Sequence, residues 1–360
     1  MFDIDTFLKQ AVSMGASDVH LHTGEHPAIR KDGTIIKINL PELTEEDMKS
    51  VCETMLPEHL KESYYSQMDI DCSYELLGCS RFRVNISKQL GRLGIVIRAI
   101  SYNIRNIAEL GLPETISQFC PLNNGLVLLT GPTGSGKSTT MAAMIENINQ
   151  TMQKHIITLE DPIEYMFTNK KCVISQRQLG LDTESFSSGL KYALRQDPDV
   201  ILVGEIRDKE TVTSALRAAE TGHLVFSTIH TNNAIETVNR IVNMFNPADR
   251  PFVRLQLADV LRGTISQKLL PLASGQGRCP ATEVLVVTST VKDLIKKNNL
   301  EQVYDLVKKG SYNNMITLNE SLFQLLQKGT ITEEVALGAS NDDNELKQMI
   351  RGVYHGTSRE

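Results

Sequence analysis

A chain of 360 residues is long enough for two domains of ordinary size, and its make-up, 41% hydrophobic and 22% charged, is that of a globular protein. With 43 acidic against 37 basic residues the net charge is −6, which speaks against a broad polyanion-binding surface and hence against a nucleic-acid partner. The six cysteines (Cys52, Cys72, Cys79, Cys120, Cys172, Cys279) show no C-x-x-C spacing, so they read as reduced thiols, mostly buried, and not as a zinc site.

The N-terminus lacks the charged and apolar regions of a secretory signal. The longest apolar runs, such as Leu126–Leu129 and Val284–Val287, are of strand length, far below the ~18–20 residues of a membrane span. Membrane association is therefore expected only through a partner.

In chain order, Ile4, Phe7, Leu8, Ala11 and Val12 recur at helical spacing and predict a helix ending before Gly15. Val19 to His22 alternate as a half-buried strand does. His20 and His22 form an H-x-H pair that reads as an exposed strand face, no third metal ligand being evident. Lys31 to Thr34 predict a hairpin turn. Thr44 followed by Glu45, Glu46 and Asp47 predicts an N-cap with an acidic first turn, which suits the positive end of a helix dipole. Residues 69–100 are strand-like, with turns at Leu77-Gly78 and Leu90-Gly91. The first hundred residues thus predict a small α+β domain, 1–100. A connection with a short helix, 101–122, follows, and Gly111 and Pro113 make it a candidate hinge.

From residue 123 onward, strands at Leu126–Thr130, Ile156–Leu159, Val200–Val203 and Leu224–Thr228 alternate with helical stretches. That pattern predicts a parallel sheet covered by helices over 123–360. The part beyond about 255 reads as mainly helical, with a polar, mobile tail after Gly338.

Gly131-Pro132-Thr133-Gly134-Ser135-Gly136-Lys137-Ser138 fits G-x-x-x-x-G-K-[ST], between a predicted strand and a predicted helix at Thr139–Asn149. Its glycines let backbone N–H groups turn toward phosphates, and the helix N-terminus adds positive potential. Residues 131 to 139, Thr139 included, form the expected ATP-binding segment: Lys137 reaches the β- and γ-phosphates and Ser138 offers a hydroxyl to Mg²⁺. Acidic and imidazole groups follow the other strands: Glu160, Asp161 and Glu164; Glu205 after Gly204; and His230. Ligands bind at this end of an open α/β sheet. Glu205 is the candidate to orient and deprotonate the attacking water, Glu164 a second catalytic carboxylate, and His230 a γ-phosphate sensor. Where an Asp would support Mg²⁺, the strand ends in Gly204-Glu205. The metal is therefore assigned Ser138, phosphate oxygens and water, with Glu160 and Asp161 as outer support. His223, at the other end of the His230 strand, is considered with it.

Arg81, Arg83, Arg92 and Arg98 lie in the first domain and Arg195, Arg207 and Arg217 in the second. Each alone reads as a surface ion pair. Phosphoryl transfer gains from a guanidinium supplied by a neighbour in a ring, and Arg83 and Arg98 are the candidates for that role.

Taken together these segments resemble the secretion and pilus ATPase superfamily. Ile156–Glu164 resembles its aspartate box, Leu194–Asp208 its Walker B segment and Thr221–Thr231 its histidine box. Within the family, Gly15–His22 near the N-terminus is similar to the type IV pilus retraction ATPases. Thr290–Lys297 keeps the helical apolar pattern but not the letters of the AIRNLIRE segment those motors carry. The resemblance implies a PAS-like N-terminal domain, a RecA-like P-loop ATPase domain with a helical C-terminal tail, and a homohexamer. It also implies docking on an inner-membrane pilus platform protein from the cytoplasmic side. The expectation is an ATP- and Mg²⁺-dependent motor for pilus retraction and twitching motility. The alternatives are a pilus-assembly or type II secretion ATPase and, from other classes, a hexameric nucleic-acid motor or a nucleotide switch without turnover.

Overall fold

The computed structural model describes residues 2–31, 33–58, 60–61, 69–100, 103–308 and 314–352. It contains two compact units, one of Met1–Asn103 with Glu164–Met166 and one of Ile104–Ile163 with Phe167–Glu360.

In the first unit, helix α1 (Ile4–Ser13) starts where the Asp3 carboxylate accepts from the Thr6 N–H at 3.1 Å, and it buries Ile4, Phe7, Leu8 and Ala11. Helix α2 (Glu45–Met55) opens on a reciprocal cap. The Asp47 N–H donates to Thr44 Oγ1 at 3.1 Å, and the Thr44 N–H donates to Asp47 Oδ2 at 3.2 Å. The strands are β1 (Asp18–His22), β2 (Ala28–Lys31), β3 (Thr34–Lys37), β4 (Asp69–Leu76), β5 (Ser80–Gln89) and β6 (Arg92–Ile100). They form an antiparallel sheet of order β3-β2-β1-β6-β5-β4. Leu8, Leu21, Met48, Phe82, Ile95 and Ile97 make its core.

The predicted turns at Leu77-Gly78 and Leu90-Gly91 join β4 to β5 and β5 to β6. Gly78 and Gly91 sit at φ 74° and 77°, where a side chain would be strained. The turn expected at 31–34 includes Asp32, which lies outside the described residues. The expected exposed H-x-H face is corrected: β1 is an interior strand of the sheet, so His20 and His22 are half-buried.

In the second unit the stretch from Ile104 is core and not a free connection. The short helix is a 3-10 turn, Glu114–Phe119, and Ile107, Leu112, Ile116 and Phe119 are buried. Residues 101 and 102 of the expected hinge lie outside the described residues. The sheet comprises β7 (Gly125–Thr130), β8 (His155–Glu160), β9 (Val173–Gln178), β10 (Val200–Val203), β11 (Leu224–Ile229), β12 (Leu261–Pro271) and β13 (Arg278–Val286). Its order is β13-β12-β7-β11-β10-β8-β9, and every neighbouring pair is parallel except β12 with β13.

Connecting helices are α3 (Lys137–Thr151), α4 (Phe186–Ala193), α5 (Lys209–Glu220), α6 (Ala234–Asn243) and α7 (Arg250–Val260). Because strand side chains alternate, β7 feeds two cores: Leu126 and Leu128 one side, Val127 and Leu129 the other. Both faces being covered, β7, β10 and β11 are buried at every position, which is why they read as unbroken apolar runs.

The helical reading beyond about 255 is wrong for residues 261–286, which form the β12–β13 hairpin. Gly275 and Gly277, at φ 77° and 89°, turn the chain, and pairing of β12 with β7 supplies the hydrogen bonds that a helix would have made internally. Helices then follow: α8 (Ser289–Lys296), α9 (Glu301–Lys308), α10 (Leu318–Gln327), α11 (Glu333–Ala339) and α12 (Asp343–Ile350). The expected mobile tail after Gly338 is instead ordered through α12, whose Leu346 and Met349 are buried; 353–360 lie outside the described residues. No helix among the described residues is long and apolar enough to cross a membrane. All six cysteines are free, and Cys52, Cys72, Cys120 and Cys172 are buried.

Candidate active site

The phosphate-loop sequence spans the C-terminal end of β7 and the start of α3. Gly136 caps the helix in a left-handed conformation (φ 87°), so the chain turns straight from loop into helix without a side chain over the amides. The glycines also answer to the protein itself. A Cβ on Gly131 would stand 2.3 Å from the Gln267 carbonyl oxygen, and one on Gly136 2.8 Å from Gln267 Nε2. Pro132, Thr133 and Gly134 form the exposed crest of the loop, while Ser135 is buried. Lys137 is buried at the helix start and its ammonium donates to the carbonyls of Gly131 at 2.7 Å and Pro132 at 2.9 Å. Ser138 and Thr139 are half-buried on the first turn.

Two strands along from β7, β10 gives way to Gly204. A Cβ there would crowd the Leu159 carbonyl at 3.2 Å and the Phe186 ring at 3.3 Å. The Thr228 hydroxyl donates to the Gly204 carbonyl at 2.7 Å, and the Ile206 N–H donates to the Thr228 carbonyl at 2.9 Å. Glu205 therefore leaves the sheet from a pinned backbone.

Glu205 has three polar contacts. Arg207 Nε and Nη2 donate to its Oε2 at 2.8 and 2.7 Å, and His230 Nε2 lies 3.1 Å from its Oε1. Arg207 Nη1 also lies 3.7 Å from Asp161 Oδ2, so one guanidinium joins the ends of β8 and β10. The hydrogen bond and charge of Glu205 raise the Arg207 pKa above its ordinary value. Asp208 caps α5 by accepting from the Thr211 N–H at 2.8 Å, which fixes the other end of this short segment.

Other predicted residues fall as follows. Glu160 accepts from the Thr158 hydroxyl at 2.6 Å and from Gln176 at 3.2 Å. Glu164 is exposed and groups with the first unit. Arg83 and Arg98 face each other across β5 and β6 on one face of the first unit's sheet. Arg98 Nε donates to the buried Asp18 at 2.8 Å, and Arg83 lies 3.7 Å from Asp71.

His223 sits at the start of β11, with Nδ1 near the Ala218 carbonyl, about 20 Å of strand from His230. Seven residues of separation along an extended strand carry the pair to opposite ends of β11. His223 is therefore remote from the site.

Two participants were missed in the sequence. Gln267, on β12, donates through Nε2 to the Ser135 carbonyl at 2.7 Å and accepts from the Thr140 hydroxyl at 2.8 Å. Glu283, on β13, accepts from the Ala234 N–H at 2.9 Å at the start of α6, four residues beyond His230. Burial pushes its pKa up to about 7, Glu236 adds to the rise, and the Ala234 hydrogen bond and Lys268 oppose it. Both lie on strands that the helical reading hid; no short motif marks either.

Residues 2–337 match the family described as Type II/IV secretion system protein. The chain is 42% identical over 334 residues to the type IV pilus retraction ATPase PilT of Pseudomonas aeruginosa, spanning 93% of this chain and 97% of that protein. It is 43% identical over 310 residues to a twitching motility protein of Neisseria gonorrhoeae, spanning 86% of this chain and 83% of the other. The crystal structure of the pilus retraction motor PilT with bound ADP matches at a TM-score of 0.90 and 45% identity, covering 97% of this chain and 100% of that one. A glycine-rich loop between β7 and α3, a carboxylate held just past the end of β10 in the same sheet and likeness along nearly the whole length point the same way: the chain belongs to the Type II/IV secretion system protein family.

Proposed function

We propose that this chain is a P-loop motor ATPase that powers type IV pilus retraction and so twitching motility. The observation that carries the reading is the Gly131–Ser138 loop closing on α3, with Glu205 pinned at the C-terminal end of a strand in the same parallel sheet. The likeness to a retraction motor whose structure contains ADP supports nucleotide as the ligand.

In this reading residues 131–139 bind ATP. Lys137 exchanges its loop carbonyls for the β- and γ-phosphates, and Glu205 orients and deprotonates the attacking water. His230 reports the γ-phosphate to Glu205 through their shared contact. Among the described residues no three His, Cys, Asp or Glu side chains cluster as a metal cage. Ser138, half-buried on the first turn of α3, would hold Mg²⁺ together with phosphate oxygens and water, with Glu160 and Asp161 as outer support. Mg²⁺, when bound, neutralises charge developing on the phosphates.

The working assembly is a homohexamer in which Arg83 and Arg98 act across subunits, with Glu164 as a second catalytic carboxylate. Residues 1–100 form the N-terminal domain, and the ATPase domain takes in the chain from Ile104 onward. The motor is cytoplasmic and reaches the inner membrane through the pilus platform protein.

The direct test is steady-state phosphate release by the purified chain. Turnover that depends on Mg²⁺ and saturates with ATP is expected. Nucleotide binding without turnover would leave a switch and overturn the motor.

A further inference from the structure

The phosphate loop is held from a strand that never touches it in sequence. Gln267 lies 132 residues beyond Ser135, yet its carboxamide spans the loop's last turn and the first turn of α3, donating to one and accepting from the other. It is 4% exposed, so both contacts form away from competing water. The same residue occupies the space that a Cβ on Gly131 or Gly136 would need. The loop's shape is therefore moulded against Gln267.

Lys268, the next residue, points to the opposite face of β12 by strand alternation. Its ammonium donates to the Ala339 carbonyl at 2.8 Å and to Asn341 Oδ1 at 3.0 Å, at the end of α11. Leu270 and Ala281, from β12 and β13, pack with Leu318, Leu322, Ala336 and Leu346 of the C-terminal helices. The Ala273 N–H, just past the strand, donates to the Thr330 carbonyl at 2.9 Å. One strand thus grips the phosphate loop on one face and the C-terminal helices on the other.

We propose that Gln267 is a positioning residue for the phosphate loop, and that Lys268 ties the same strand to the C-terminal helices so that nucleotide occupancy is felt there. A loop reshaped around phosphate moves Ser135 and the start of α3. Gln267 passes that displacement to β12, and Lys268 passes it to α11. A two-state element biased from both ends is the physical requirement for such coupling. This rests on the nucleotide-binding reading above.

The test uses the purified full chain, ADP titration calorimetry and amide exchange with and without ADP. Gln267→Met, which keeps volume but removes both hydrogen bonds, is expected to weaken ADP binding ~tenfold, the scale of one or two such bonds. Thr140→Val should weaken it less. The double variant should be no weaker than Gln267→Met alone, because the two groups act through one contact.

In the wild type, ADP should slow exchange within residues 318–350. Lys268→Met should bind ADP within about twofold of the wild type but lose that protection, the decoupling expected when one link of a network is cut. Lys268→Arg, with donors still in reach, should keep it. ADP binding by Gln267→Met at wild-type affinity would overturn the positioning role. Protection unchanged in Lys268→Met, or absent from an ADP-binding wild type, would overturn the coupling. A wild type that binds no ADP would overturn the nucleotide reading itself, and this proposal with it.

Discussion

Glu205→Gln is expected to lower steady-state ATP turnover by about 10²–10⁴-fold, the usual contribution of a positioned general base, while ADP affinity changes by less than about threefold. The substitution keeps the side chain's size and leaves one oxygen to accept from Arg207. The pinned backbone between Gly204 and Asp208 should therefore survive. What disappears is the second anionic oxygen and the ability to take a proton. In the described state Arg207 occupies Oε2 and His230 faces Oε1, so the carboxylate must exchange one of these partners for water before it can act. His230, held by a single contact at 3.1 Å against the two of Arg207 at 2.8 and 2.7 Å, is the easier to displace. Parallel measurements of phosphate release and ADP binding decide the matter. Near-normal turnover would remove Glu205 from the role of base.

Lys137→Ala is expected to weaken ADP binding by about 100-fold, since a buried phosphate loses a charge-assisted partner worth roughly 2–3 kcal/mol. The alternative, a lysine that merely braces the loop, deserves weighing because its ammonium lies on the Gly131 and Pro132 carbonyls. A brace would show chiefly as lost thermal stability, with affinity falling only as far as loop disorder requires. Lys137→Met separates the two: it keeps the aliphatic stem buried but offers no cation. Affinity equal to the wild type in that variant would contradict direct contact with phosphate.

Much of this arrangement was legible because it is local. The phosphate loop needs a strand, a glycine-rich turn and a helix within some thirty residues, and Leu126 to Asn149 spell them in order. Thr44 with Asp47 announced the cap on α2 through a three-residue spacing. The polar residues after β8, β10 and β11 were legible as strand ends.

What escaped was set by tertiary pairing. The segment 261–286 is a hairpin because β7 offers it an edge, and burial on both faces erases the alternation that would have marked it as strand. Val284–Val287 and the glycines at 275 and 277 were the available hints. Losing that hairpin concealed Gln267, Lys268 and Glu283 together. Arg207 was visible, but one strand-end segment cannot show that its guanidinium reaches both Glu205 and Asp161. His223 misled for a simpler reason, since residues close in sequence stand far apart along a strand.

In the proposed function, hydrolysis at Glu205 drives retraction. Surface pili are therefore to be counted, by electron microscopy, on cells of the source organism whose chromosomal gene is replaced by the Glu205→Gln allele. Excess pili, matching those of a deletion strain, are predicted. Cells without pili, or with wild-type numbers of normally retracting pili, would contradict it.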